Sequence, residues 1–158
     1  MTNETMNNVM LECIKIARKN LENDQYPIAA VITDDTGRII VSSQSSLRQH
    51  HDPTNHPEME VIRKAAVILK QRKLTGYYLF TTLEPCPMCT SAAVWACLDG
   101  IIYGSHQDDA IAFVKNNPEH KLSWRQIPIR AEYILENAHP KPKLFGGIQR
   151  ELCNKLFK

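Results

Sequence analysis

Tyr77-Tyr78-Leu79-Phe80-Thr81-Thr82-Leu83-Glu84-Pro85-Cys86-Pro87-Met88-Cys89 changes character midway. Tyr77 to Thr82 is a run of β-branched and aromatic residues, the composition of a strand. Pro85 cannot continue that strand and introduces a helix through about Cys97, closed by Asp99-Gly100. Ile101 to Gly104 then reads as a short buried strand. A strand feeding a helix feeding a strand is the unit of an α/β sheet.

The flanks extend that pattern. Asn3 to Asn20 carries Met6, Met10, Cys13, Ile14 and Ala17 near helical spacing. Tyr26 to Ile32 and Arg38 to Ser42 read as strands joined by the turn Asp34-Asp35-Thr36-Gly37. Ser43 to Pro57 is polar, with a proline and paired histidines, and reads as a loop that carries function. Glu58 to Gln71 is a helix burying Val61, Ile62, Ala65, Ala66 and Leu69. Asp108 to Lys115 reads as helix, Ile129 to Leu135 fits strand or helix equally, and Gly146-Gly147 precedes a last helix, Ile148 to Phe157. Helix, hairpin, then alternating strands and helices predict an α/β protein, a three-layer α/β/α sandwich on a mixed sheet.

The 158 residues suit one domain, and 43% hydrophobic with 23% charged residues is ordinary for a globular chain. No apolar run reaches the roughly 20 residues of a membrane span. Met1-Thr2-Asn3-Glu4-Thr5 has no basic stretch before an apolar one, so a cytoplasmic protein is expected. A net charge of +2 makes no case for nucleic acid. The basic residues Lys141, Lys143, Arg150, Lys155 and Lys158 face only Glu151 and read as a solvated terminal helix before a substrate patch. Five cysteines, an odd number, argue against a disulfide framework, and Cys13, Cys97 and Cys153 read as small buried hydrophobes.

Cys86 and Cys89 differ in kind. Thiolates three apart on a helix's first turn point to one side, where its free N–H groups favour their ionised form. His56 brings the ligands to three, which leaves a tetrahedral zinc one open position, the count of a catalytic site. Zinc lowers the pKa of water from 15.7 towards about 7. Departing ammonia needs a proton, and Glu58, two residues after the histidine, is placed to carry it without ligating the metal. A lone Cys-x-x-Cys could be a redox pair or half a zinc knuckle, but redox chemistry leaves His56 and Glu58 unexplained. A structural zinc would draw a further ligand from His50, His51 or Cys97. Together the residues match the H-x-E…P-C-x-x-C signature of zinc deaminases.

His51-Asp52-Pro53-Thr54-Asn55-His56-Pro57-Glu58 followed by Thr82-Leu83-Glu84-Pro85-Cys86-Pro87-Met88-Cys89 resembles the cytidine deaminase-like superfamily. Within it, residues 5 to 115 are similar to the purine branch of bacterial guanine deaminases and tRNA adenosine deaminases. The resemblance implies a central five-stranded mixed sheet, one zinc (Zn2+) per subunit on His56, Cys86 and Cys89, a proton shuttle at Glu58, and a homodimer with sites near its interface. It also implies a substrate-contacting asparagine ahead of the zinc histidine; Ser45 stands there, with Gln44 beside it. Pro57 replaces the usual alanine and is acceptable as a first helical residue. Asp108 and Asp109 match an acidic segment of guanine deaminase-like proteins, where a carboxylate would accept from a purine; their alternative is helix capping.

Residues 1–158 are thus expected to form one zinc-dependent deaminase domain, with a core over 1–115 and a C-terminal extension over 116–158 that covers the site or a dimer interface. Trp124, Tyr133, Phe145 and Phe157 are expected in core or dimer packing. The expected substrate is a small nucleobase or nucleoside that loses its exocyclic amine, guanine before other purines. The adenosine of a tRNA, a cytosine or cytidine substrate, and a non-enzymatic zinc module are the alternatives.

Overall fold

The computed structural model describes residues 1–21, 23, 25–123 and 127–157. Trp124 and Lys158 lie outside them. In chain order the elements are α1 (Asn3–Arg18), β1 (Ala29–Thr33), β2 (Ile39–Gln44), α2 (Leu47–His50), α3 (Pro57–Leu69), β3 (Tyr78–Leu83), α4 (Pro87–Trp95), β4 (Gly100–Ser105), α5 (Gln107–Asn116), α6 (Ala131–Glu136), β5 (Lys143–Phe145) and α7 (Arg150–Asn154). The five strands form one sheet in the order β2-β1-β3-β4-β5. β1 runs antiparallel to β2 and β3, whereas β3, β4 and β5 are mutually parallel along the sheet.

The period-two alternation of the strands decides which helices cover which face. Ala29 and Val31 of β1, Phe80 of β3 and Ile102 of β4 pack with Met6, Met10 and Cys13 of α1 and with Cys153 and Leu156 at α7. Their neighbours Ala30, Ile32, Leu79 and Ile101 point the other way, to Val61 and Ala65 of α3, Ala93 of α4 and Leu135 of α6. The result is the expected three-layer sandwich on a five-stranded mixed sheet.

Local chemistry sets the element ends. Thr2 caps α1 by accepting from the N–H of Thr5. The β1–β2 turn closes on Asp34, whose carboxylate accepts from Thr36 and Arg38, and Gly37 supplies its positive φ. The first strand begins at Ala29 rather than Tyr26. Pro27 offers no N–H, and the N–H of Ile28 turns back to the carbonyl of Tyr26. The polar stretch Ser43 to Pro57 contains the single turn α2, ended by His51 at positive φ.

Several expectations change. Cys97 is half-buried and terminates α4 in the left-handed region instead of filling the core. Ile129 to Leu135 resolves as α6, starting at Ala131. β5 has no counterpart in the sequence reading, because three residues between a proline and a pair of glycines show no periodicity; its pairing with Gly100, Ile101 and Ile102 defines it. The last helix shortens to Arg150–Asn154. Phe157 is buried beside Leu83, Ala110 and Leu122, Phe145 is half-buried against the α1 layer, and Tyr133 is exposed. Among the described residues no helix is long and apolar enough to cross a membrane.

Candidate active site

Two helix starts meet at the C-terminal end of β3. His56 is the residue before α3, with Pro57 as the first helical position, and Cys86 is the residue before α4, with Pro87 in the same place. Proline suits that position because its missing N–H would have no helical partner there. Cys89 follows on the first turn of α4, and Thr90 closes that turn by donating from its hydroxyl to the carbonyl of Pro85.

His56 Nδ1 lies 3.8 Å from Cys86 Sγ and 3.5 Å from Cys89 Sγ, and the sulfurs are 3.6 Å apart. Tetrahedral zinc with ordinary bond lengths separates two sulfurs by about 3.8 Å and a sulfur from an imidazole nitrogen by about 3.6 Å. The donor set therefore fits zinc. Among the described residues it is the one cluster of three or more His, Cys, Asp or Glu close enough to hold a metal.

The electrostatics of the two sulfurs differ. The hydrogen bond from Cys89, aided by His56, draws Cys86 down to about 4 against the opposing effect of burial. Cys89 is pushed up by its bond to Cys86 and by burial. His56 is raised by its hydrogen bond with Cys86.

Glu58 is buried at the floor of the same corner. Thr81 of β3 donates to its Oε1 at 2.6 Å, while its Oε2 faces Cys89 Sγ at 3.7 Å. One carboxylate oxygen is held and the other is directed at the donor triad. Burial raises the carboxyl above the usual range, against the lowering effects of His56 and Thr81.

A cavity of about 430 Å³ opens above this corner. His56, Glu58 and Cys86 form its floor, Ile28, Leu47, Pro53 and Leu83 supply apolar wall, and Tyr26, Arg48 and His51 stand at its sides. Ser45 also lines it; its hydroxyl is buried and has no hydrogen-bond partner among the described groups. Gln44 lines a separate hollow with Asn20 and Ser46. Asp108 and Asp109 are not among the residues lining the cavity. The carboxylate of Asp108 accepts from Arg130 at 2.6 Å. Asp109 accepts from the N–H of His106, closing the start of α5, and from Arg150.

Sequence reasoning passed over four side chains that shape this corner. Thr81 fixes Glu58. Asn20 donates to the carbonyls of Tyr26 and Ser45, joining the two cavity walls. Asn55 donates to Ser46 Oγ at 2.9 Å, and Glu84 receives donors from two helices. Only Thr81 left a readable trace: it shares strand parity with Leu79, so it is a hydroxyl pointing into the layer of α3.

Residues 3–105 match the cytidine and deoxycytidylate deaminase zinc-binding region. Guanine deaminase of Bacillus subtilis (strain 168) is 33% identical over 72% of this chain and 76% of its own. A tRNA-specific adenosine deaminase of Agrobacterium fabrum is 43% identical over 56% of this chain and 58% of its own. The chain also matches tRNA(Ile)-lysidine synthase of Deinococcus deserti at 34% identity over 79% of its length, and there spans only 24% of that protein. The solved guanine deaminase of Nitrosomonas europaea shares the fold with a TM-score of 0.81 at 20% identity, covering 96% of this chain and 81% of the other.

Proposed function

The chain belongs to the cytidine and deoxycytidylate deaminase zinc-binding family of enzymes, and from that premise we propose that it hydrolyses the exocyclic amine of a small purine, guanine first, and releases ammonia. The observation that carries this reading is Glu58, with one oxygen held by Thr81 and the other directed at the His56, Cys86 and Cys89 donors beneath a cavity of about 430 Å³. His56, Cys86 and Cys89 would hold one zinc per subunit, which when bound lowers the pKa of water at the site. Glu58 takes a proton at Oε2 from the attacking water and returns it to the departing amine. Its burial suits that work, since a raised carboxyl accepts a proton more readily. The walls exclude bulk water, and the buried hydroxyl of Ser45 meets the base as donor or acceptor.

Guanine is favoured by the similarity to guanine deaminase over most of both chains. A second reading, the adenosine of a tRNA, is supported by the 43% identity to a tRNA-specific adenosine deaminase. We infer a homodimer through the outer face of α3 and α4, where Val67 is 76% and Trp95 81% exposed. The test is ammonia release by the zinc-loaded chain from guanine, guanosine, adenine, adenosine, cytosine, cytidine and a tRNA anticodon stem–loop. Guanine is expected to turn over fastest. Turnover of the stem–loop alone selects the second reading, and turnover of none removes both.

A further inference from the structure

Glu84 is a buried carboxylate that the proposed chemistry leaves unused. It is 3% exposed, directly follows β3, and lines the same cavity as His56 and Cys86 without belonging to the metal-donor cluster. None of the hydrogen bonds of its carboxylate goes to a zinc ligand. Oε2 accepts from the N–H of Gln107, the first residue of α5, at 3.0 Å. Oε1 accepts from the N–H of Ala131, the first residue of α6, at 3.1 Å and from Nε of Arg130 at 2.9 Å. Its own N–H donates to the carbonyl of Ser105 at 2.8 Å. Arg130 continues to Asp108 and His106, and the side chain of Gln107 donates to the carbonyl of Ile127.

A carboxylate taken out of water is tolerated only where donors surround it, so these bonds hold Glu84 in one place. The next residue is proline, whose ring fixes φ, and the residue after that carries the sulfur. Little slack separates the held carboxylate from Cys86 Sγ. A metal's affinity depends on how firmly the groups behind its ligands orient them.

We propose that Glu84 is a positioning residue for the metal centre, through which Arg130 and Ala131, in the segment after Asn117, hold the turn that carries Cys86. This rests on the reading of His56, Cys86 and Cys89 as zinc ligands. It assigns that segment a part in keeping the metal, independent of which base is deaminated.

Zinc transfer from the loaded full-length chain to a chromogenic chelator tests it without any substrate. Glu84→Gln keeps the size of the side chain but sets an amide against the N–H donors, and Arg130→Met removes the guanidinium from a side chain that is 38% exposed. Arg150→Met is the control: it breaks the neighbouring pair with Asp109 and does not touch Glu84. Zinc is expected to bind about tenfold more weakly to Glu84→Gln, to leave Arg130→Met faster by a smaller factor, and to leave Arg150→Met as it leaves the parent. The rise in Tm on adding zinc shrinks in the first two and is unchanged in the control, which a merely structural role would not produce. If Glu84→Gln does not fold, Arg130→Met decides. Release at the parental rate from Arg130→Met, or equally fast release from Arg150→Met, overturns the proposal. A parent chain that takes up no zinc overturns the ligand reading beneath it, a result distinct from either.

Discussion

Cys86 and Cys89 lie at the start of α4 against an imidazole, whereas Cys13 and Cys153 lie between α1, α7 and the sheet among methionine, valine and phenylalanine side chains. In the first region neighbouring donors draw Cys86 down to about 4. In the second, burial pushes Cys153 up to about 12, and burial raises Cys13 as well. The thiol of Cys13 donates to the carbonyl of Ala29 and behaves as a small apolar group with one weak hydrogen bond. One residue type becomes a metal ligand or an inert filler according to the donors that face it.

The largest effect expected from breaking this contrast comes from exchanging the same substitution between the regions. Cys86→Ala is expected to abolish zinc loading, and with it ammonia release, as measured by metal content and turnover. Cys153→Ala should leave both at the parental level while costing about 1 kcal/mol of stability for the small void. Zinc loss in Cys153→Ala would erase the distinction between the regions.

Next in size is Glu58→Gln, expected to retain zinc while turnover falls by about 10³-fold, within the range for lost proton transfer. In the zinc-free chain the same substitution should stabilise. Burial raises the folded carboxyl above its usual value, so stability is fully present below the ordinary carboxylate pKa and is lost as pH rises through the folded one. Urea midpoints at pH 4 and pH 7 should therefore differ less in Glu58→Gln than in the parent.

The alkaline side sharpens the other region. A thiol raised from 9.0 to about 12 disfavours ionisation in the fold, so its contribution is intact below pH 9 and falls away towards pH 12, by up to roughly 4 kcal/mol. Cys153→Ala should flatten that part of the stability profile. The smallest effect is steric. A Cβ on Gly104 would overlap Cys153 Sγ and approach the carbonyl of Thr82. Gly104→Ala is expected to cost about 1–3 kcal/mol, and less in the Cys153→Ala background. Equal costs in the two backgrounds would show that the two sites do not couple.

The zinc corner was legible in the sequence because its information is short-range. Two thiols on one helical turn, and a carboxylate two residues from a histidine, are each local patterns; the two halves stand about 30 residues apart, and only the match of both to one signature joined them. The covered faces of α1 and α3 were legible through their apolar spacing for the same reason. Other parts were not. The Glu84–Arg130 bond spans 46 residues and the Thr81–Glu58 bond 23, and nothing in the local pattern of either partner announces the other. β5 is defined by pairing rather than by its own three residues. Gln44 and Ser45, of which only Ser45 lines the cavity, and Asp108 and Asp109, whose carboxylates pair with different arginines, are adjacent residues set apart by where each backbone carbon points.

Glu58 and Glu84 state the division most simply. Sequence by itself identified His56, Cys86 and Cys89 as residues of a zinc donor type, with a carboxylate beside them. Tertiary structure alone decided that Glu58 presents its Oε2 to that set, at Cys89, while Glu84 takes donors from the first residues of α5 and α6. Both are buried carboxylates, so their roles follow from which donors surround them. Those donors come from distant segments, brought there by the parallel crossovers from β3 to β4 and from β4 to β5.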